Sequence, residues 1–219
     1  MSTPFIDIHI HSRTPEADVM KIVSLGIEEE CPELERCSYG IHPWDLDKAD
    51  FNLDEALEQL KQRLQAPQAV ALGEAGLDKA HPNSYERQIA AFEKQIGISE
   101  AMRQPLIIHD VRSHNEIISL RKQHKATQPW IIHGFNGTEQ DIRQLTSHGI
   151  YISVGEALLH PERKISKVLK TIDLEYLFLE TDTASCSVKE VYAKAASLLE
   201  IPLDVLAAQI FCNFARIFK

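Results

Sequence analysis

Phe5-Ile-Asp-Ile-His-Ile-His11 is the stretch that decides how the chain is read. Side chains of a strand alternate between its two faces, so Ile6, Ile8 and Ile10 fall on one side and Asp7, His9 and His11 on the other. If the isoleucines pack outward against helices, the histidines face the interior of a barrel, near the C-terminal end of its first strand. The same design recurs. Ala69-Val-Ala-Leu-Gly leads to Glu74, Pro105-Leu-Ile-Ile to His109, Trp130-Ile-Ile to His133, and Leu177-Phe-Leu-Glu-Thr to Asp182. Each apolar run ends in a residue type that binds metals.

These runs predict strands at residues 5–6, 22–23, 38–41, 69–72, 106–108, 130–132, 151–154 and 177–179. Amphipathic segments predict helices at 53–64, 85–102, 113–124, 139–147, 161–171, 188–199 and 203–218, with Asn52, Ser113 and Thr138 as caps. Short apolar strands alternating with helices signify an α/β protein with a parallel sheet. Eight strands predict a single (β/α)8 TIM-type barrel over residues 1–219. The barrel is expected to be irregular and short, because 28–37 is brief and proline-interrupted and leaves no room for a crossover helix.

Lys and Arg total 23 against 32 Asp and Glu, a formal charge of −9. Such a surface repels polyanions, which excludes a general nucleic-acid coat protein. It does not exclude a compact phosphate site, since a bound cation is often the largest charge in its neighbourhood. Cys31, Cys37, Cys186 and Cys212 lack Cys-x-x-Cys spacing and read as free thiols in a reducing compartment. The first residues offer neither a basic nor an apolar signal region, and no run approaches the roughly 20 apolar residues of a membrane helix. The expectation is a cytoplasmic protein with no membrane and no indicated protein partner.

Burying one polar group without a partner costs about 2–7 kcal/mol against an alkane-like reference. Six such groups converging at strand ends therefore require compensation, and divalent cations supply it. Four histidines with two carboxylates suit Zn²⁺ or Mn²⁺, and the carboxylates leave Mg²⁺ open. One grouping places His9, His11 and Asp182 around one ion and His109 with His133 around a second, with Glu74 bridging both. Two such ions activate a shared water and clamp the attacking and leaving oxygens of a displacement. Asp182 is also placed to accept the proton of that water.

Seven motifs together resemble the TatD-like metal-dependent deoxyribonucleases, within the amidohydrolase-type barrels. They are Ile6-Asp-Ile-His-Ile-His11, Gly40-Ile-His-Pro-Trp44, Gly73-Glu-Ala-Gly-Leu-Asp78, Pro105-Leu-Ile-Ile-His109, Ile132-His-Gly-Phe-Asn-Gly137, Glu180-Thr-Asp182 and Asn213-Phe-Ala-Arg-Ile-Phe218, in the family's order. The resemblance implies that His9, His11, Glu74, His109, His133 and Asp182 hold two divalent cations, that phosphodiester bonds of DNA are hydrolysed, and that His42 lies near the substrate. Arg112 stands roughly where the family has a phosphate-contacting arginine, in a segment that reads Asp-Val-Arg-Ser where Ser-Arg is usual. After Asp182 the chain enters a helix directly, so the rim facing the substrate is trimmed.

An activated water attacks a carbonyl carbon as well as phosphorus, so an acyl or amide hydrolase, such as an aminoacyl-tRNA deacylase, is the alternative activity. Glu74 on the fourth strand, where other amidohydrolases use a modified lysine, favours the TatD-like subclass. Trp44 is expected to cover the barrel mouth, and Asp7 either orients a histidine or serves as a buried structural carboxylate. His81, His114, His124, His148 and His160 read as surface residues. Asn213 is expected to fix the last helix by hydrogen bonds to backbone.

Overall fold

The structure is a computed structural model that describes residues 3–33 and 35–218. Among these residues eight strands form: β1 (Phe5–Ile10), β2 (Val19–Leu25), β3 (Arg36–Tyr39), β4 (Ala69–Asp78), β5 (Leu106–Val111), β6 (Trp130–Ile132), β7 (Ile150–Val154) and β8 (Leu177–Leu179). Among the described residues seven α-helices accompany them: α1 (Leu53–Arg63), α2 (Tyr85–Met102), α3 (His114–Gln123), α4 (Glu139–Ser147), α5 (Lys164–Val168), α6 (Val188–Leu199) and α7 (Leu203–Ile217). The strands follow one another from β1 to β8 in an eight-stranded sheet. This is the expected α/β class of the (β/α)8 barrel, irregular as foreseen, with no α-helix before β3 among the described residues. By contacts the chain forms two compact units, one from the residues up to Val23 with those from Ile132 onward, the other Ser24–Ile131.

In the first unit β1 pairs in parallel with β2, and β7 with β8. Asp182 extends β8 beside β1: its N–H donates to the His9 carbonyl at 2.8 Å, and the His11 N–H donates to the Asp182 carbonyl at 3.2 Å. The register of β1 on β2 shifts between Asp7 and Ile10, where β1 spends one residue more than its partner. Such a bulge re-aims side chains and breaks strict alternation, and here it falls within Ile8-His9. Tyr192 of α6, fully buried, accepts from the Ile6 N–H and donates to the Ile6 carbonyl, both at 3.1 Å. Asn213 of α7 donates to the carbonyls of Leu174 and Leu177, so the last helix is fixed as expected.

In the second unit β4 is buried along its whole length and pairs in parallel with β3 and β5. Its register against β5 shifts between Leu72 and Ala75, so the extra residue falls at Gly73-Glu74. Gly76 is held at φ +151, and a Cβ there would lie 2.1 Å from the His109 carbonyl oxygen. Only glycine admits that approach of two backbones. α2 buries two glutamines against strand ends. Gln95 accepts from the Ile41 N–H and donates to its carbonyl; Gln88 does the same for Asp78. Each thereby satisfies both backbone groups at a point where the ladder stops.

Two expectations need correction. The helix expected at 161–171 is only the five residues of α5, followed by a 3-10 turn at Leu169–Thr171. Val168, at φ −120, leaves the helical region, and the Thr171 hydroxyl closes the turn on the Val168 carbonyl. Ser113 precedes α3 but does not cap it, because its hydroxyl donates to the Val111 carbonyl and receives Tyr85. Asn52 and Thr138 do cap, the latter in a reciprocal box with Asp141. Among the described residues no single helix is long and apolar enough to cross a membrane.

Candidate metal-binding groups

His9, His133 and Asp182 bring ligand atoms within 4.8 Å of one another in the first unit. The Asp182 Oδ1 lies 3.6 Å from His9 Nε2 and 3.4 Å from His11 Nε2, and the His9 and His133 rings are 4.1 Å apart. His9 and His133 are buried, whereas His11, one residue past β1, is 43 % exposed. Asp182 adopts φ +54, the left-handed region that Asp enters more readily than most residues. Burial raises the pKa of its carboxyl. The close His11 and His9 imidazoles and the charges of His9 and His133 outweigh burial and hold it well below the usual carboxylate range.

Two neighbours support this group. Glu180 is fully buried, accepts from the Gly134 N–H at 2.6 Å, and lies 3.4 Å from His133 Nδ1. Its Oε2 has no hydrogen-bond partner among the described residues, a buried carboxyl oxygen that a nearby positive charge would compensate. Asp7 turns to β8 instead of the histidines, accepting from the Thr181 N–H and hydroxyl. It is the structural carboxylate of the two readings considered. Burial pushes its pKa up to about 7, against the Thr181 hydroxyl. A cleft of about 170 Å³, lined by Gly134, Gly155, Glu156 and residues 180–184, opens beside Asp182.

The second unit holds His42, Glu74 and His109, again with ligand atoms within 4.8 Å. Glu74 Oε1 is 2.7 Å from His109 Nδ1 and 3.1 Å from His42 Nε2. The other nitrogen of His109, Nε2, faces Asp78 Oδ2 at 3.1 Å. Asp78 also accepts from the Trp44 indole N–H at 2.8 Å. Burial raises the Asp78 pKa, but the hydrogen bonds from Trp44, the Ala80 N–H and His109 prevail and lower it. A carboxylate on the far nitrogen of a ligating histidine fixes its tautomer and ring orientation.

His42 differs from His109 in one respect. Its Nδ1 accepts from the Trp44 backbone N–H at 3.1 Å, so a neutral ring carries its proton on Nε2 and donates to Glu74. That tautomer suits a hydrogen-bond donor better than a ligand. Arg112 follows β5 at φ +58 with its side chain exposed, three residues beyond His109.

The strand-end residues named from sequence thus fall into two clusters of imidazole and carboxylate. His133 stands with His9 and Asp182, a proximity that the grouping by strand did not give. Asp78 and Glu180 were missed. Each lies an even number of residues from a named ligand, Glu74 or Asp182, so side-chain alternation was the available signal. Of the histidines read as surface residues, His114 has a side chain only 24 % exposed and pairs with Asp110, whose side chain is fully covered, while His81 pairs with Asp47. The donor set contains nitrogen and oxygen without thiolate, which fits borderline and hard divalent cations.

Comparison with known proteins adds to this geometry. The chain is 29% identical over 197 residues to YjjV of Escherichia coli (strain K12), named a metal-dependent hydrolase, covering 82% of this chain and 75% of that protein. It is 29% identical over 178 residues to the 3'-5' ssDNA/RNA exonuclease TatD of Edwardsiella piscicida, covering 80% and 67%. It is 30% identical over 140 residues to the Deoxyribonuclease Tat-D of Schizosaccharomyces pombe, covering 62% and 45%. The crystal structure of the E. coli YjjV matches with a TM-score of 0.87 at 26% identity, over 100% of this chain and 99% of that one. A family model described as TatD related DNase matches residues 6–219, and the chain belongs to that family.

Proposed function

We propose that this chain, a hydrolase of the TatD related DNase family, uses two divalent cations to cleave phosphodiester bonds of single-stranded nucleic acid. The observation that carries the reading is the pair of histidine–carboxylate clusters, His9/His133/Asp182 and His42/Glu74/His109, each with ligand atoms within 4.8 Å. Two relatives with nuclease names support nucleic acid as the substrate. His9, His11, His133 and Asp182 would hold one cation, and Glu74 with His109 the other. Zn²⁺, Mn²⁺ and Mg²⁺ are all compatible with these donors. A divalent cation in such a site supplies positive charge for the phosphoryl oxygens and activates water for attack.

The residues of the chain do the rest. Asp182 is held ionised and would stand beside the attacking water as the acceptor of its proton. Asp78 would accept a hydrogen bond from the Nε2–H of His109 and so leave Nδ1, on the Glu74 side, with its lone pair. His42 keeps an N–H on the exposed side of Glu74, where it would orient that carboxylate or donate to a phosphoryl oxygen. Purified protein with added Mn²⁺, Zn²⁺ or Mg²⁺ should release nucleotides from a single-stranded oligonucleotide. Absence of release with every one of these ions counts against the reading.

A further inference from the structure

Trp44 is one of three large apolar side chains exposed among the described residues, with 52 % of its surface accessible. It is nonetheless held firmly. Its indole N–H is tied to the buried Asp78 carboxylate at 2.8 Å, its backbone N–H donates to His42, and its ring meets those of His42 and His81 with centroids 4.7 and 5.4 Å away. The His81 ring is inclined by only 32° to the indole and is itself anchored by Asp47. With the N–H edge occupied by Asp78 and His81 on one side, the exposed half of the residue leaves room for a flat ligand against the indole. Such an arrangement costs the protein little ordering when a flat ligand arrives, because the ring is already immobile.

The turn brings cations of its own: Lys48 pairs with Asp45 at 2.7 Å and Arg87 reaches the Lys48 carbonyl, while Asp47 faces the His81 ring. The platform is also tied to the candidate ligands. Asp78 Oδ2 takes both the Trp44 indole N–H and His109 Nε2, and the Trp44 and His109 rings are 5.9 Å apart.

The geometry points to Trp44 as a stacking platform for a nucleobase of the substrate, the neighbouring phosphodiester being presented at Glu74 and His109. The inference rests on the phosphodiesterase reading and deepens it: the substrate is recognised through the flat face of a base, without regard to which base. Stacking of this kind contributes sequence-tolerant affinity in single-strand binding.

The test uses the metal-loaded protein and a phosphorothioate-linked thymidine tetramer that resists cleavage, beside a tetramer of the same backbone without bases. Trp130 is fully buried, so quenching by a ligand reports on Trp44. The base-bearing tetramer should quench the emission and bind roughly 5- to 100-fold more tightly than the abasic one. Trp44→Ala should abolish that preference, and Trp44→Phe should restore part of it. Equal binding of the two tetramers to the wild type, or an undiminished preference in Trp44→Ala, overturns the inference while cleavage of ordinary oligonucleotide upholds the phosphodiesterase. If no oligonucleotide is cleaved with any divalent ion, the phosphodiesterase reading fails and the inference with it.

Discussion

Glu74 Oε1 and His109 Nδ1 meet at 2.7 Å because β4 spends one residue more than β5 between Leu72 and Ala75. The extra residue turns the Glu74 side chain without disturbing the pairing on either side, where Leu72 faces Leu106 and Gly76 faces His109. β1 has the same device within Ile8-His9. In both units a ligand-bearing strand departs from regular register at the ligand.

The close approach at Gly76 makes it the most sensitive backbone position of β4. In Gly76→Ala the new methyl would lie 2.1 Å from a main-chain oxygen at a φ of +151 that alanine avoids. Strand separation and strain together should cost about 2–4 kcal/mol. Urea denaturation should show a lower midpoint with an unchanged slope, and zinc bound per chain should fall as His109 moves from Glu74.

Asp78 acts through His109. Asp78→Ala removes the acceptor of the Nε2 proton and lets the ring rotate or change tautomer, so metal affinity should weaken by about 10- to 100-fold. A competition titration with a chromophoric chelator measures this. Unaltered affinity would mean that Glu74 alone orients the ring.

Glu100 provides a pH signature away from the metal ligands. Burial raises the pKa of its carboxylate, but hydrogen bonds from the Thr127 hydroxyl and the N–H groups of Gln128 and Thr127 prevail and hold it below its ordinary value. Because the folded state binds this proton less readily than the unfolded chain, the stabilisation is complete above the ordinary glutamate pKa and is lost as pH falls through the folded value. Glu100→Gln should therefore be less stable than wild type by about 1 kcal/mol near neutrality. The two denaturation midpoints should converge in acid.

Much of this was legible in the sequence, for identifiable reasons. Ile6, Ile8 and Ile10 announce a strand whose apolar face is outward, and the runs before Glu74, His109 and His133 read the same way. The bulges at Ile8-His9 and Glu74 were not legible, because register is a property of two strands and no single strand encodes it. Ser113 has the composition of a cap, yet its hydroxyl is taken by Tyr85 and Val111, which only folding brings to it. Gln88 and Gln95 look like ordinary polar residues of an amphipathic helix. Their role appears once the ends of β3 and β4 leave the backbone groups of Ile41 and Asp78 to be satisfied.

The central claim is that Glu74 holds a cation required for phosphodiester cleavage. Its most direct test is metal content by elemental analysis together with hydrolysis of a single-stranded oligonucleotide, for wild type and Glu74→Ala at matched folded fraction. The account predicts metal-dependent cleavage by the wild type, with both bound metal and rate lowered in the variant, the rate by more than about a hundredfold. Cleavage at the wild-type rate by Glu74→Ala would contradict it. So would a wild type that binds metal but leaves phosphodiesters intact, a result that points to an acyl or amide substrate.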